Sequence, residues 1–362
     1  MRINTLKVTL LSKQVISSVN VIQYKSLHSS RQQLLVKTIE FKTCGQLYDK
    51  LRQKNPKLYR NSPSSGLTVN VEYVDTLGDN KTGKVKTILA IHGIPGYYNH
   101  FDKLYQYFGN KCSSVRVIAP NMPDFGLTRQ TMAFWHSNEE RSQFIRDFLK
   151  AINVSTIDCL VSHSAGIHPI SMLWTDPQEL AIKSIGLFCP QPLWLSKNVL
   201  FYSELTSYLA KHKLGIKLMD TIRPDRIAHR FGYPMSYANV DEVLLTVCFG
   251  SISLNQQLLH QRLQFIRQHK IPTLMVLGER DKLILKNNLK YLFQDLGVND
   301  SHFVKYLSDK DNDRSDNKTN DKSENDINKD WIKVLSFADG GHFAFNKFSN
   351  IVNKQLVIHL LS

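Results

Sequence analysis

Six short apolar runs recur along this chain, at residues 86–91, 115–119, 157–161, 184–189, 271–277 and 331–337, and helical patterns stand between them. Strands that alternate with helices close into a mostly parallel sheet, because each return crossover lays a helix on a sheet face. Residues 67–74 (LTVNVEYV) alternate with period two, as a half-buried strand does, and DNKTGK at 79–84 reads as a turn. Phe144, Ile145, Phe148 and Leu149 fall at helical spacing, and Ser137 with Glu140 three residues on predicts a capped start for that helix. The expected architecture is α/β: a mostly parallel central sheet flanked by helices.

The rhythm breaks between Pro190 and Ile271, where Tyr, Leu and Met recur at helical spacing without strands. Residues 191–270 therefore read as a helical cap inserted between two parts of one core, 61–190 and 271–362. Leu200, Phe201, Tyr202, Tyr208 and Leu209 suit an apolar substrate group, but cap-to-core packing explains them as well. Within the second part, residues 308–330 (SDKDNDRSDNKTNDKSENDINKD) hold one large apolar residue, Ile327, and read as a disordered loop. Asp313, Ser315, Asn317, Asp321 and Glu324 match calcium-loop spacing, yet Lys318 stands where such a loop needs glycine, and no metal site is expected.

Charge narrows the class. The net charge is +15, but residues 1–60 carry twelve Lys/Arg against two acids, leaving the remainder close to balance. No basic stripe interleaved with aromatics appears, so no nucleic-acid partner is expected. The extension 1–60 opens basic, serine-rich and acid-poor, the composition of a mitochondrial targeting segment; a plain disordered tail or lead-in strand is the simpler reading, with the cytoplasm as the default location. No apolar run approaches the ~18 residues of a membrane span, which predicts a soluble chain. The five cysteines are scattered without metal-ligand spacing, and Cys159 and Cys189 in apolar runs read as buried free thiols of an intracellular, reducing compartment.

The chemistry-bearing residues gather at strand ends. VSHSAGIHP (161–169) puts Ser164 on a strand-to-helix turn, either as a helix cap or as a nucleophile. A serine hydroxyl needs a base, a group to orient that base and donors for the developing oxyanion. His92-Gly93-Ile94-Pro95-Gly96 follows the run ending at Ile91 and offers the N–H of Ile94, and the N–H of Ala165 is a second candidate donor. Asp281 follows the run ending at Leu277, and His342 follows the run ending at Phe337. Glu279 is a rival for the acid, while His100 and His168 read as structural or surface residues.

The order Ser164, Asp281, His342 resembles the α/β-hydrolase fold, over roughly residues 65–362 apart from the low-complexity loop. HGIPG is similar to the HG-x-P oxyanion motif of that superfamily, in which His92, Gly93 and Pro95 support the donors, and residues 121–128 (NMPDFGLT) resemble its D-x-P-G-x-G-x-S segment. HGIPGYYNHF is also similar to a set of worm α/β hydrolases of unassigned function. Ser162 stands where the elbow G-x-S-x-G has its first glycine, Asp124 replaces the glycine before Phe125, and Pro169 lies early in the following helix. The resemblance implies a serine hydrolase, of the esterase or lipase kind, that cleaves a carboxylic ester of a small, partly apolar molecule without a cofactor. Serine rather than aspartate at the elbow argues against epoxide hydrolase and dehalogenase chemistry. The alternatives are a catalytically silent binding fold and an acyltransferase with the same triad.

Overall fold

The computed structural model describes residues 36–77, 85–94, 96–111, 114–122, 134–175, 180–191, 250–284, 286–307 and 330–361, with a few positions between 201 and 212. All but isolated positions of the cap reading up to 249, residues 1–35 of the basic extension, and 308–329 of the low-complexity loop with its calcium-like spacing lie outside the described residues. The described residues belong to one compact unit, Leu34–Ser362.

Its centre is a nine-stranded sheet. In chain order the strands are β1 (Val36–Lys42), β2 (Thr68–Asp75), β3 (Lys86–Ile91), β4 (Val115–Pro120), β6 (Cys159–His163), β8 (Ile185–Phe188), β9 (Thr273–Gly278), β10 (Phe303–Tyr306) and β11 (Ile332–Phe337), in the spatial order β1-β2-β4-β3-β6-β8-β9-β11-β10. From β4 to β10 every pairing is parallel; β2 runs against both of its neighbours. β5 (Thr156–Ile157) and β7 (Ala181–Ile182) pair separately. The apolar run at 157–161 is thus bent at Asp158, whose carboxylate accepts the Thr87 N–H at 2.7 Å and meets Lys183 Nζ at 2.7 Å.

Alternation along the strands builds two cores. Leu89, Ile91, Leu160, Leu187, Met275 and Val334 face one apolar cluster, and Ile88, Ala90, Val161, Phe188, Val276 and Leu335 face the other. The first is covered by helices α3 (Asn138–Ala151), α4 (Ile167–Trp174), α5 (Gln256–Gln268) and α6 (Lys290–Leu296). The second is covered by α2 (Asp102–Lys111) and α8 (Ser349–Leu361), the latter just after the short α7 (Ala344–Lys347). α3 starts as its sequence predicts: the Ser137 hydroxyl accepts the Glu140 N–H and the Glu140 carboxylate accepts the Ser137 N–H. Pro169 falls in the first turn of α4, where its missing N–H costs no helical bond.

Residues 36–60, grouped with the basic extension on composition, carry β1 and α1 (Gly45–Lys54) of this unit. β1 pairs with β2 along its whole length, and Asp75 at the end of β2 ties the edge together. It takes two bonds from the Arg116 guanidinium at 2.9 Å each and one from Lys37 at 3.2 Å. Burial of Asp75 raises its carboxyl pKa, but the bonds and charge of Arg116 outweigh it and hold the group below the ordinary value.

Candidate active site

β6 ends at His163, and the chain turns at Ser164 into a single 3-10 turn, Ser164–Gly166, that leads into α4. Ser164 takes φ 52°, the left-handed region that a residue with a Cβ occupies only under strain, and it is buried. A helix cap does not need that conformation, since cap residues are extended. The turn is closed by the end of β3: a Cβ added to Gly93 would stand 2.8 Å from the Ser164 Cβ, so only glycine lets the loop carrying Ile94 lie against the serine. Ala165, the other candidate donor residue, is the second residue of the turn.

His92 fixes that loop. Its Nε2 accepts the Met122 N–H at 2.8 Å, so Nδ1 carries the proton and donates to the Gly93 carbonyl at 2.8 Å. Complete burial holds the imidazole well below its ordinary pKa, so the ring stays neutral. Pro95 lies outside the described residues. Ile94 also touches the chain that leads into α5. A Cβ on Gly250 would stand 3.1 Å from Ile94 Cδ1, and the Gly250 carbonyl accepts Asn138 Nδ2 at 2.9 Å.

The other two residues meet across the loops after β9 and β11. His342 Nδ1 and Asp281 Oδ2 are 2.8 Å apart, both side chains buried. Asp281 Oδ1 accepts the N–H groups of Leu283 at 2.8 Å and Ile284 at 2.9 Å, which fixes the carboxylate. The two loops touch because residue 278 is glycine: a Cβ there would lie 2.3 Å from the Gly341 carbonyl oxygen. Glu279 is turned to other work, accepting the Ser336 hydroxyl at 2.8 Å. The geometry therefore pairs the histidine with Asp281 and not with Glu279.

His342 reaches the elbow through His163. The His163 Nε2–H donates to the His342 carbonyl at 3.0 Å, and the two rings lie 4.6 Å apart. His342 Nε2 is buried and makes no hydrogen bond, so the Ser164–His342 bond is not formed in this structure. Catalytic hydrogen bonds are often long in unliganded sites and tighten around substrate. His100 is near, its ring 5.9 Å from that of His163, and burial lowers its pKa to about 4. His168 is buried in α4, with its pKa pushed down to about 3 by burial. Among the described residues no three His, Cys, Asp or Glu side chains are grouped to hold a metal. His163 carries one signal in the sequence, its place between two serines at a strand end.

Ser162, at the position of the elbow's first glycine, is completely buried, and its Oγ has no hydrogen-bond partner. The turn thus accommodates the serine, at the expense of an unsatisfied hydroxyl. Cys159 and Cys189 are buried free thiols, and Cys44 is also free. In the segment read as a cap, Phe201 and Tyr208 are exposed, whereas Leu209 packs against the cluster of Tyr48, Leu51, Phe134 and Trp135. No helix among the described residues is long and apolar enough to cross a membrane.

Comparison with known proteins adds a family. A family model described as an alpha/beta hydrolase of unknown function (DUF1057) matches residues 50–359. No curated protein matches the chain. Among solved structures, a thermophilic esterase from Thermogutta terrifontis is similar with a TM-score of 0.52 at 12% identity, over 90% of this chain and 98% of that one. An enol-lactonase from Burkholderia xenovorans LB400 gives 0.53 at 11% identity, over 81% and 97%. The haloalkane dehalogenase DatA from Agrobacterium tumefaciens C58 gives 0.50 at 11% identity, over 81% and 93%. Likeness at such identity shows a shared fold, and the three names show that the fold alone does not choose a reaction.

Proposed function

The chain belongs to the DUF1057 family of α/β hydrolases, and from that premise we propose that it is a serine hydrolase that cleaves a carboxylic ester through Ser164, Asp281 and His342. The observation that carries this reading is the backbone of Ser164, held at φ 52° on the turn between β6 and α4. Strain of this kind persists where the surrounding structure over-determines it, and it concentrates at active sites.

The residues act in sequence. His342 Nε2 takes the Ser164 Oγ proton as the oxygen attacks the ester carbonyl carbon. The C–O double bond opens to a single bond, and the oxyanion is held by the N–H groups of Ile94 and Ala165. Asp281 keeps the His342 proton on Nδ1 and stabilises the imidazolium that forms. The oxyanion collapses, the ester C–O bond breaks, and His342 gives its proton to the departing alcohol. Water then repeats the cycle on the acyl-serine, losing its proton to His342 and releasing the carboxylic acid and free Ser164. No step draws on a cofactor. His92, His100 and His163 carry no charge near neutrality, since burial lowers each of them, so they add no positive charge beside His342.

A non-hydrolytic binding role is the second reading, favoured by the missing Ser164–His342 hydrogen bond. Acyl transfer to an alcohol or thiol acceptor would use the same residues. Nitrophenyl esters of graded acyl length, offered to the full chain and to Ser164→Ala and His342→Ala, separate these outcomes. The proposal expects turnover that both substitutions abolish in folded protein. Equal turnover in either variant refutes it, and an acceptor ester formed in place of acid identifies the transferase.

A further inference from the structure

We propose that His163 is a positioning residue, whose Nε2–H holds the backbone of His342 and so keeps the His342 ring in the place from which it serves Ser164. The role rests on the serine-hydrolase reading above and deepens it.

Three observations carry it. The first is connectivity. His163 is the last residue of β6 and the immediate neighbour of Ser164, while its ring bonds the His342 carbonyl at 3.0 Å. One side chain thus links the strand that presents the nucleophile to the loop that presents the base. The second is the protonation state. His163 is buried, and burial, with His342 and His100 next, holds it well below the ordinary histidine value. A neutral imidazole has one N–H, and a carbonyl partner can only accept, so that proton sits on Nε2. The Nδ1 lone pair then remains, and the structure shows that atom buried without a hydrogen-bond partner. The third is the surroundings. The ring lies 4.8 Å from that of Phe343, 5.0 Å from that of Phe345 and 5.9 Å from that of His100, aromatic neighbours whose packing by itself calls for no hydrogen-bond donor. What histidine adds there is the donor.

Two variants separate donor from filler. His163→Phe keeps the aromatic bulk and removes the N–H; His163→Gln removes the ring and restores a donor. The first measurement is proton NMR of the full chain carrying 15N-histidine. It follows the downfield Nδ1–H signal of the His342–Asp281 hydrogen bond, assigned by its loss in His342→Gln, and the tautomer of His163. The proposal expects His163 in the Nε2–H form and the downfield signal kept in wild type and His163→Gln. In His163→Phe it expects that signal lost or broadened by exchange, with the melting transition intact. The second measurement is the rate of labelling by a fluorophosphonate, expected to fall about ten- to hundredfold in His163→Phe, as for a misplaced catalytic group, and to stay within about threefold of wild type in His163→Gln.

An Nδ1–H tautomer of His163 in the wild-type chain overturns the proposal without any variant. So does a His163→Phe protein with the wild-type signal and rate, or a His163→Gln protein as impaired as His163→Phe. If the wild-type chain does not label at all, the serine-hydrolase reading fails, while the NMR result still decides whether His163 holds His342.

Discussion

At the scale of single residues, a left-handed residue and an unsatisfied buried hydroxyl stand two positions apart, at Ser164 and Ser162. A left-handed residue with a Cβ costs roughly 1–2 kcal/mol, and glycine does not bear that cost. Ser164 at φ 52° should show it. Ser164→Gly and Ser164→Ala should both be inactive, yet the glycine variant should be more stable than the alanine variant by about 1 kcal/mol in urea unfolding. Alanine as stable as glycine would mean that the turn is not strained. Two residues back, the orphaned Ser162 Oγ should destabilise the chain by its lost hydration. Ser162→Ala is expected to raise stability by about 1 kcal/mol and leave probe labelling unchanged; a loss of stability would reveal a partner for that hydroxyl. The sequence favours Asp281 as the acid but leaves Glu279 as a rival, because both lie on one short loop after β9. The choice is made by partners distant in sequence, Ser336 for Glu279 and His342 for Asp281.

At the scale of elements, the start of α3 joins capping to titration. Glu140 is wholly buried, and burial raises its pKa to about 7 against the bonds it accepts from Trp135, Ser137 and Tyr59. Because the folded form holds its proton more tightly than the unfolded form, the group favours folding below pH 4.5. That contribution is lost as pH rises from there to about 7. Glu140→Gln should remove this slope, so that urea stability measured at pH 5 and pH 7 differs less than in wild type. An unchanged difference would place the titration elsewhere. Elements with continuous apolar sequences, β3, β4, β6, β8, β9 and β11, were legible because both faces of each are covered. β1, with one buried residue in seven, and the half-buried β10 were not. The sheet edge exposes them, and edge strands need little apolar sequence. β1 was further hidden by the basic, serine-rich stretch before it, and α1 by an apolar face of only two buried residues, Tyr48 and Leu51.

At the scale of the whole molecule, the sheet acts as the frame that brings distant residues together. Ser164, Asp281 and His342 follow the ends of β6, β9 and β11, which the spatial order separates only by β8. Parallel strands put all these ends on one side, so three residues far apart in the chain, the proposed triad, follow neighbouring strand ends. Which residues follow neighbouring strand ends was readable because it depends on topology, whereas the bond of His163 to the His342 carbonyl was not, since it depends on how the end of β6 packs against the loop after β11. The frame itself is held by faces such as that of Phe148, fully buried with its ring 6.2 Å from Phe41 and 5.2 Å from Tyr73. Phe148→Ala should cost about 3–5 kcal/mol of unfolding free energy, with the probe reactivity of the remaining folded protein unchanged; reactivity lost in step with a smaller destabilisation would show that the site is coupled to that core. Whether Ser164 is an activated nucleophile is decided by intact-mass analysis of the full chain after incubation with a fluorophosphonate, beside Ser164→Ala. A single adduct mapped to Ser164 and absent from the variant is the predicted result; a folded protein that takes no adduct, or takes one on another residue, contradicts it.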